Sequence, residues 1–454
     1  MSAPVAVRPP GAATRRPAGW RGLLAVDGRM PSSLVLWLLG YVALYIVRPW
    51  ERIPALETFP VERIYALVLL VRVFVLSSQW QLKLRGAGGA AAAFVGALAL
   101  STARAVEPWE SWATFEDVLK VALFSLCIVA ALRTRADVRA FVLGWIAIGY
   151  LYQAKAVWEH LVHGAGVYRM GTWRLIGIDR TFQDPNTFAN TTVLLLPFLI
   201  ELLWVERSRA LRAWLLSAIA LSVFVVVRTG SRTGLIAMVC LVLLQIVAGR
   251  RRLLFAALAI VGALGTVVLL PEQLVERYRT IFDPTVNDSA ERSWEGRVDG
   301  LKKGVALLGV RPVTGVGPGC FIVADAHFSG LPGVPGLQPH NLLGQALGET
   351  GLFGTAVFAL FAATLVRACA QVTRRARRAR DALLHALGRA SVQMLIVLFL
   401  TGLAGHNLYR YNWFWLAGLL VAMANVQARA LLATYARRVR PRAEPAAAAA
   451  AAAS

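Results

Sequence analysis

Gln338 to Ala368 reads QPHNLLGQALGETGLFGTAVFALFAATLVRA, and the fold turns on how that stretch is read. From about position 350 to 368 the residues are almost all apolar, close to the roughly twenty a helix needs to cross a bilayer. Immediately before this run stand His340, Asn341 and Glu349. An apolar run entered from a polar flank marks a chain passing from an aqueous loop into a membrane.

The same alternation recurs outward in both directions. Apolar segments at 34–48, 62–79, 88–104, 114–132, 139–159, 188–205, 210–228, 233–249, 252–270, 350–368, 388–407 and 412–432 predict about twelve transmembrane helices. The whole chain of 454 residues is 57% hydrophobic and 16% charged, against about a quarter charged in soluble domains. The expected fold class is therefore all-α integral membrane. The domain plan is a basic leader at 1–33, one polytopic domain at 34–432 and a basic, Ala-rich tail at 433–454.

The net charge of +23, from 48 basic and 25 acidic residues, would point to nucleic acid in a soluble protein; here its placement sets topology instead, and no nucleic-acid partner is implied. Arg15-Arg16, Arg133 to Arg135, Arg207 to Arg212, Arg250 to Arg252, Arg374 to Arg380 and Arg437 to Arg442 fall in alternate connections. The positive-inside rule places these connections, and both termini, in the cytoplasm. The first apolar run lacks a small-residue cleavage site and is expected to remain as the first span, and the tail after Pro445 is expected to be disordered. Cys127, Cys240 and Cys369 lie in or at the ends of spans and Cys320 in a loop, which argues against a disulfide framework.

Among the connections that then face outward, three call for close reading: His160 to Thr187, Thr229 to Thr233, and the long loop at 271–349. In the long loop, Asp288-Ser-Ala-Glu291 has the form of a capping box. Trp294, Val298, Leu301, Val305 and Leu308 follow as an apolar stripe expected to lie against the membrane or the rest of the protein, with Arg297 at its edge. Gly315-Val-Gly317-Pro-Gly319 then lets the backbone approach something closely.

Arginines are avoided on the outer side of a membrane, so those found there call for a reason. Arg232 stands in TGSRTG, Arg297 and Arg292 on the loop helix, Arg174 and Arg180 before DPNTFAN. Each has an ordinary explanation. An interfacial arginine snorkels to lipid phosphate, Asp184-Pro-Asn186 is common turn chemistry, and Glu349 caps the following helix. Together with His340 they form a set suited to one chemistry: paired guanidinium forks for a diphosphate, and an imidazole for a hydroxyl proton. Zinc fits poorly, because His327 and His340 have no third ligand and there is no H-E-x-x-H; no metal or other cofactor is implied.

RPVTGVGPGCF followed by PHNLLGQALGETGLFG resembles the signature of the O-antigen ligase and polysaccharide polymerase superfamily, as do GSRTG, DPNTFAN and GHNLYRYNWFW. The resemblance runs from about Asp184 to the C-terminus and departs at Gly344, where the pattern often has a larger residue. It implies a GT-C-like fold with a large, partly helical periplasmic loop, in the bacterial inner membrane. It also implies an inverting, metal-independent glycosyltransferase that moves a glycan from undecaprenyl diphosphate to an acceptor: lipid A core, protein or another glycan. His340, Arg232 and Arg297 would be the catalytic residues, the arginines also binding the diphosphate. Asp184, Asn186, Gly317, Asn341, Arg292 and Arg180 are further candidates for substrate binding. YIVRPWE resembles ligases of protein O-glycosylation or exopolysaccharide, so the resemblance does not fix lipid A core as the acceptor; it favours a ligase, with a polymerase joining lipid-linked repeat units as the alternative. A lipid-linked glycan flippase is the alternative from another class, though flippases generally need charges deep within several spans.

Overall fold

The computed structural model describes residues 26, 29–51, 53, 56, 58–76, 86–169, 171–249, 251–283, 289–328 and 338–439. Most of the basic leader, the Ala-rich tail, Asp288 of the expected capping box and the Gly/Pro segment 329–337 lie outside the described residues, and so does the side chain of Arg292.

The helices are α1 Ser33–Val47, α2 Val61–Leu76, α3 Ala87–Ala103, α4 Pro108–Ala131, α5 Arg135–Val162, α6 Pro185–Val205, α7 Arg209–Arg228, α8 Arg232–Ala248, α9 Arg252–Leu269, α10 Glu272–Arg279, α11 Ser289–Val310, α12 Phe321–Phe328, α13 Leu342–Arg378, α14 Ala382–Gly402 and α15 Tyr411–Val439. One antiparallel hairpin, β1 Val167–Arg169 with β2 Thr172–Arg174, pairs Val167 with Arg174. Each of the twelve apolar segments expected from sequence coincides with a helix over most of its length, although the one expected at 388–407 ends at Gly402. Seven helices are long and apolar enough to cross a membrane, and three more are apolar but shorter. The chain is an all-α, multi-pass membrane protein. The two remaining helices differ in character, since α2 carries Glu62, Arg63 and Arg72, and α4 carries Glu110, Glu116, Asp117 and Lys120.

Caps explain several helix starts. Asp184 Oδ1 accepts from the Thr187 N–H (2.8 Å), Ser231 Oγ from Gly234 (3.2 Å), and Asn341 Oδ1 from Leu343 (2.9 Å) and Gly344 (3.1 Å). The cap at Asn341 starts α13 at Leu342 rather than near 350, and the helix then breaks at Gly351, with φ 64° and ψ −168°. Beyond the break, the N–H groups of Leu352 and Phe353 donate to the Pro312 (2.9 Å) and Val313 (3.2 Å) carbonyls. The Gly315–Gly319 turn fits into this break. Gly315 (φ 69°) faces it so closely that a Cβ there would lie 2.5 Å from the Glu349 carbonyl oxygen, so only glycine fits. Glu349 therefore does not start the helix; it is 2% exposed, within it, and accepts from the Phe321 N–H and from Gln345 Nε2 at 3.3 Å each.

The loop helix α11 also packs differently from the expected stripe. Trp294 (66%) and Val305 (53%) are exposed, whereas Gly300, Gly304 and Leu307 are buried. A Cβ on Gly300 would strike the Pro339 carbonyl group, and one on Gly344 would lie 2.9 Å from the Gly300 carbonyl carbon. The two helices are joined backbone to backbone through small residues, the contact a membrane protein uses where hydrophobic burial offers little. This also accounts for Gly344, since a larger side chain would not fit there.

α13 packs on α3, α11 and α14, α6 on α7 and α14, and α4 on α15. Phe94, Phe361 and Phe414 stack within the core with ring centroids 5.6–6.3 Å apart. Near the C-terminus of α6, Glu201 accepts from Arg389 Nε (3.0 Å) and Gln393 Nε2 (2.8 Å) on α14, and Gln393 Oε1 accepts from Gln245 Nε2 of α8 (2.9 Å). A buried charge is tolerated only when paired in this way. The pairing locks α6, α8 and α14 together at one end, and the opposite ends of the same three helices build a cavity.

Candidate functional site

The helix starts at Asp184 and Ser231, the segment before α13, α10, α11 and the connection from α14 to α15 enclose a cavity of about 700 Å³, within the range of small-molecule sites. Arg169, Arg174, Arg232, Arg277, Arg297 and Arg410 line it, with Asp184 as the one lining carboxylate among the described residues.

The turn that presents Arg232 is built by satisfying the last carbonyls of α7. The Leu175 N–H donates to Arg228 O (3.1 Å), Arg174 Nε to Thr229 O (2.6 Å), Arg277 Nε to Gly230 O (2.6 Å), and the Tyr278 hydroxyl to Val227 O (2.9 Å). Cations at a helix C-terminus are favourable, and this cage of donors fixes Thr229, Gly230 and Ser231. Arg232 then extends so that Nη1 donates to Thr280 Oγ1 (2.9 Å), and Arg297 Nη2 donates to Thr233 Oγ1 (3.2 Å). Arg297 thus reaches the residue next to Arg232 at one helix start. On the facing side, Arg410 Nη2 donates to Thr187 Oγ1 (3.2 Å).

These partners are hydroxyls and carbonyls, which orient a guanidinium without cancelling its charge. Burial, followed by the charge of Arg277, pulls Arg174 down to about 9, still a cation at neutral pH. Burial likewise lowers Arg277, Arg297 and Arg410. Holding so many cations together favours an anion joining them; Asp184 pairs with Arg169, at 3.8 Å. The N-termini of α6 and α8 add their positive dipole ends.

His340 opens onto the same cavity, in a left-handed backbone conformation (φ 34°). That strain is maintained where surrounding structure imposes it, a frequent property of functional positions. Desolvation by the cavity walls lowers its pKa, with Arg297 and Arg169 adding to the effect and Asp184 opposing it. It is therefore neutral, with a free nitrogen, at pH 7. His406 lies beside it, with ring centroids 5.6 Å apart.

Of the residues singled out in the sequence, Arg232, Arg297, His340, Asp184 and Asn186 converge on the cavity, Asn186 by accepting from Arg174 Nη2 (3.0 Å). Others do not. Gly317 packs against the backbone, its N–H donating to Glu349 O (3.0 Å), and a Cβ there would lie 3.0 Å from the Ala105 Cα. It serves the helix break and not a ligand. Asn341 is occupied as the cap of α13. Arg180 is exposed, and its backbone N–H donates to Glu51 Oε2 (2.7 Å). Arg169, Arg277, His406 and Arg410 were not singled out; a signal existed for Arg277 and Arg410, because arginines in outward connections break the positive-inside pattern.

No curated protein matches the chain. Residues 217–359, from the middle of α7 to the middle of α13 and including Arg232, Arg297 and His340, match the family model described as O-antigen ligase, which supports a likeness of this part of the chain to the O-antigen ligase and polysaccharide polymerase superfamily.

Proposed function

We propose that the cavity transfers a glycan from undecaprenyl diphosphate to an acceptor hydroxyl, at the periplasmic face of a bacterial inner membrane. The observation that carries this reading is the convergence of six arginines and His340 on one cavity with, among the described residues, a single lining carboxylate, Asp184. The placement of Arg-rich connections such as Arg133–Arg135, Arg207–Arg212 and Arg374–Arg380 at the other ends of these helices supports the orientation.

In this reading Arg232 and Arg297 hold the diphosphate. The acceptor oxygen attacks the anomeric carbon from the side opposite the phosphate, its proton passes to His340, and the bond from anomeric carbon to phosphate oxygen breaks. The electron pair leaves on the diphosphate, where the guanidinium donors stabilise it. Configuration at the anomeric carbon inverts. Asp184 and Asn186 bind as neighbours of this centre, by orienting Arg169 and Arg174.

The acceptor decides between ligase and polymerase. In a deletion strain, a bare acceptor with accumulated lipid-linked polymer supports the ligase, whereas single capped repeats on the acceptor identify a polymerase. The transfer reading itself is tested with Arg232→Ala and His340→Ala variants in the same strain. Correctly inserted variants that restore the surface glycan fully would overturn it.

A further inference from the structure

The cavity contains a second histidine that the transfer reading leaves without a role. His406 follows Gly405 in the connection between α14 and α15, and its ring centroid lies 5.6 Å from that of His340. Its Nδ1 is buried and has no hydrogen-bond partner among the described residues, and the same is true of Asn190 Oδ1 on the adjoining wall from α6. Both residues line the cavity. Buried polar atoms are normally paired, so an unpaired donor or acceptor facing a cavity calls for a polar ligand.

The chemistry of these groups narrows that ligand. Burial, then Arg410 and His340, brings the pKa of His406 down to about 4, against a small opposing effect of Asp184. It stays uncharged through the physiological range, unable to serve as a cation for phosphate or as a proton carrier. A neutral imidazole has one donor and one acceptor nitrogen, and a carboxamide oxygen is an acceptor; a polyhydroxylated ligand matches both. With ring centroids 5.6 Å apart, the two imidazoles are near enough to meet the same sugar residue.

We propose that His406 is a second acceptor-binding histidine: its unpaired Nδ1 takes a hydroxyl of the acceptor sugar that His340 also meets, while Asn190 holds a neighbouring hydroxyl. This rests on the transfer reading above and assigns the two histidines different work. His340 receives the proton, and His406 positions the oxygen that loses it.

The test uses full-length protein in nanodiscs, lipid-linked glycan extracted from a strain deleted for this gene, and acceptor membranes from the same strain. His406→Asn, chosen to keep a polar side chain of similar reach, should raise the KM for acceptor about tenfold, with binding of undecaprenyl diphosphate unchanged. Asn190→Ala should raise the acceptor KM in the same direction. His406→Ala is read alongside, with thermal melting to separate misfolding from lost binding. A His406→Asn protein that melts normally and keeps the wild-type acceptor KM overturns the proposal. So does one that loses undecaprenyl diphosphate binding at unchanged acceptor KM, which would put His406 on the donor side. If wild-type protein forms no glycan product while binding undecaprenyl diphosphate, the transfer reading fails first, and the proposal falls with it.

Discussion

Replacing Gly300 by alanine tests whether α11 sets the reacting geometry. In the structure an added Cβ at Gly300 would lie 2.6 Å from the Pro339 carbonyl carbon, whereas carbon atoms rest about 3.5–4.0 Å apart. The obstruction is backbone, with the Pro339 carbonyl oxygen closer still, so it cannot swing aside, and the helix has to retreat by at least about 1 Å. Arg297 stands one turn before Gly300 and His340 one residue after Pro339; the retreat therefore separates the proposed diphosphate ligand from the proposed base. A displacement of that size costs on the order of 100-fold in rate, while overpacking costs about 1–3 kcal/mol in stability. Gly309→Ala is the internal control: it lies on the same helix, nothing lies within 4 Å of its added Cβ, and alanine there is the better helix former by about 1 kcal/mol. The assay is release of undecaprenyl diphosphate from extracted lipid-linked glycan in the presence of acceptor membranes, with melting temperature in detergent as the companion measurement. A Gly300→Ala protein transferring at the wild-type rate would refute the reasoning, as would a Gly309→Ala protein impaired equally.

Three shorter predictions follow from the same geometry. Arg297→Lys keeps the charge but loses the planar fork, and the transfer rate should fall about 100- to 1000-fold; steady-state kinetics of the purified variant measure it. Asn341→Ala removes a helix cap and should lower unfolding stability by about 1 kcal/mol with acceptor KM unchanged, whereas a large KM change would return Asn341 to the substrate. Burial and nearby arginines hold the His340 pKa below its ordinary 6.5, and the base is the unprotonated form. The rate should therefore be flat at pH 7 and above and decline as pH falls below the ordinary value, a limb that His340→Gln removes from the pH profile.

Hydropathy made twelve of the fifteen described helices legible because an apolar run of that length has few alternatives. The start of α13 was misplaced for a local reason: GQALGET contains two glycines and three polar residues, and helical character there comes from the Asn341 cap and from packing against α11, neither visible as apolar periodicity. The face of α11 was misjudged for a related cause. Its buried side is Gly300 and Gly304, and a glycine contact leaves no hydrophobic trace in a sequence. At the site, Arg232, Arg297 and His340 stood out as polar groups on an outward side, and the fold brings them to one cavity. His406 stayed hidden, because a histidine in a short connection is silent until a neighbouring ring and an unpaired nitrogen are seen beside it.

The way the arginines are held has a kinetic consequence. Arg174 and Arg277 brace the end of α7, and Arg232, Arg297 and Arg410 rest on threonine hydroxyls, so the cations are oriented before substrate arrives and need no rearrangement as charge develops on the leaving diphosphate. The diphosphate is more negative once the glycosidic bond has broken, so the same donors hold the departing lipid more tightly than the incoming one. Chemistry is then fast relative to release of the lipid carrier, a common division of labour in enzymes. Mixing the protein in excess of its turnover with lipid-linked glycan and saturating acceptor should give a burst of glycan product close to one per protein, followed by a slower steady rate. Arg410→Lys, on the wall facing Arg232, should shrink the burst less than it changes the steady rate. A linear time course with no burst would show that bond breaking itself is the slow step, and that the arginines release their product as readily as they bind the donor.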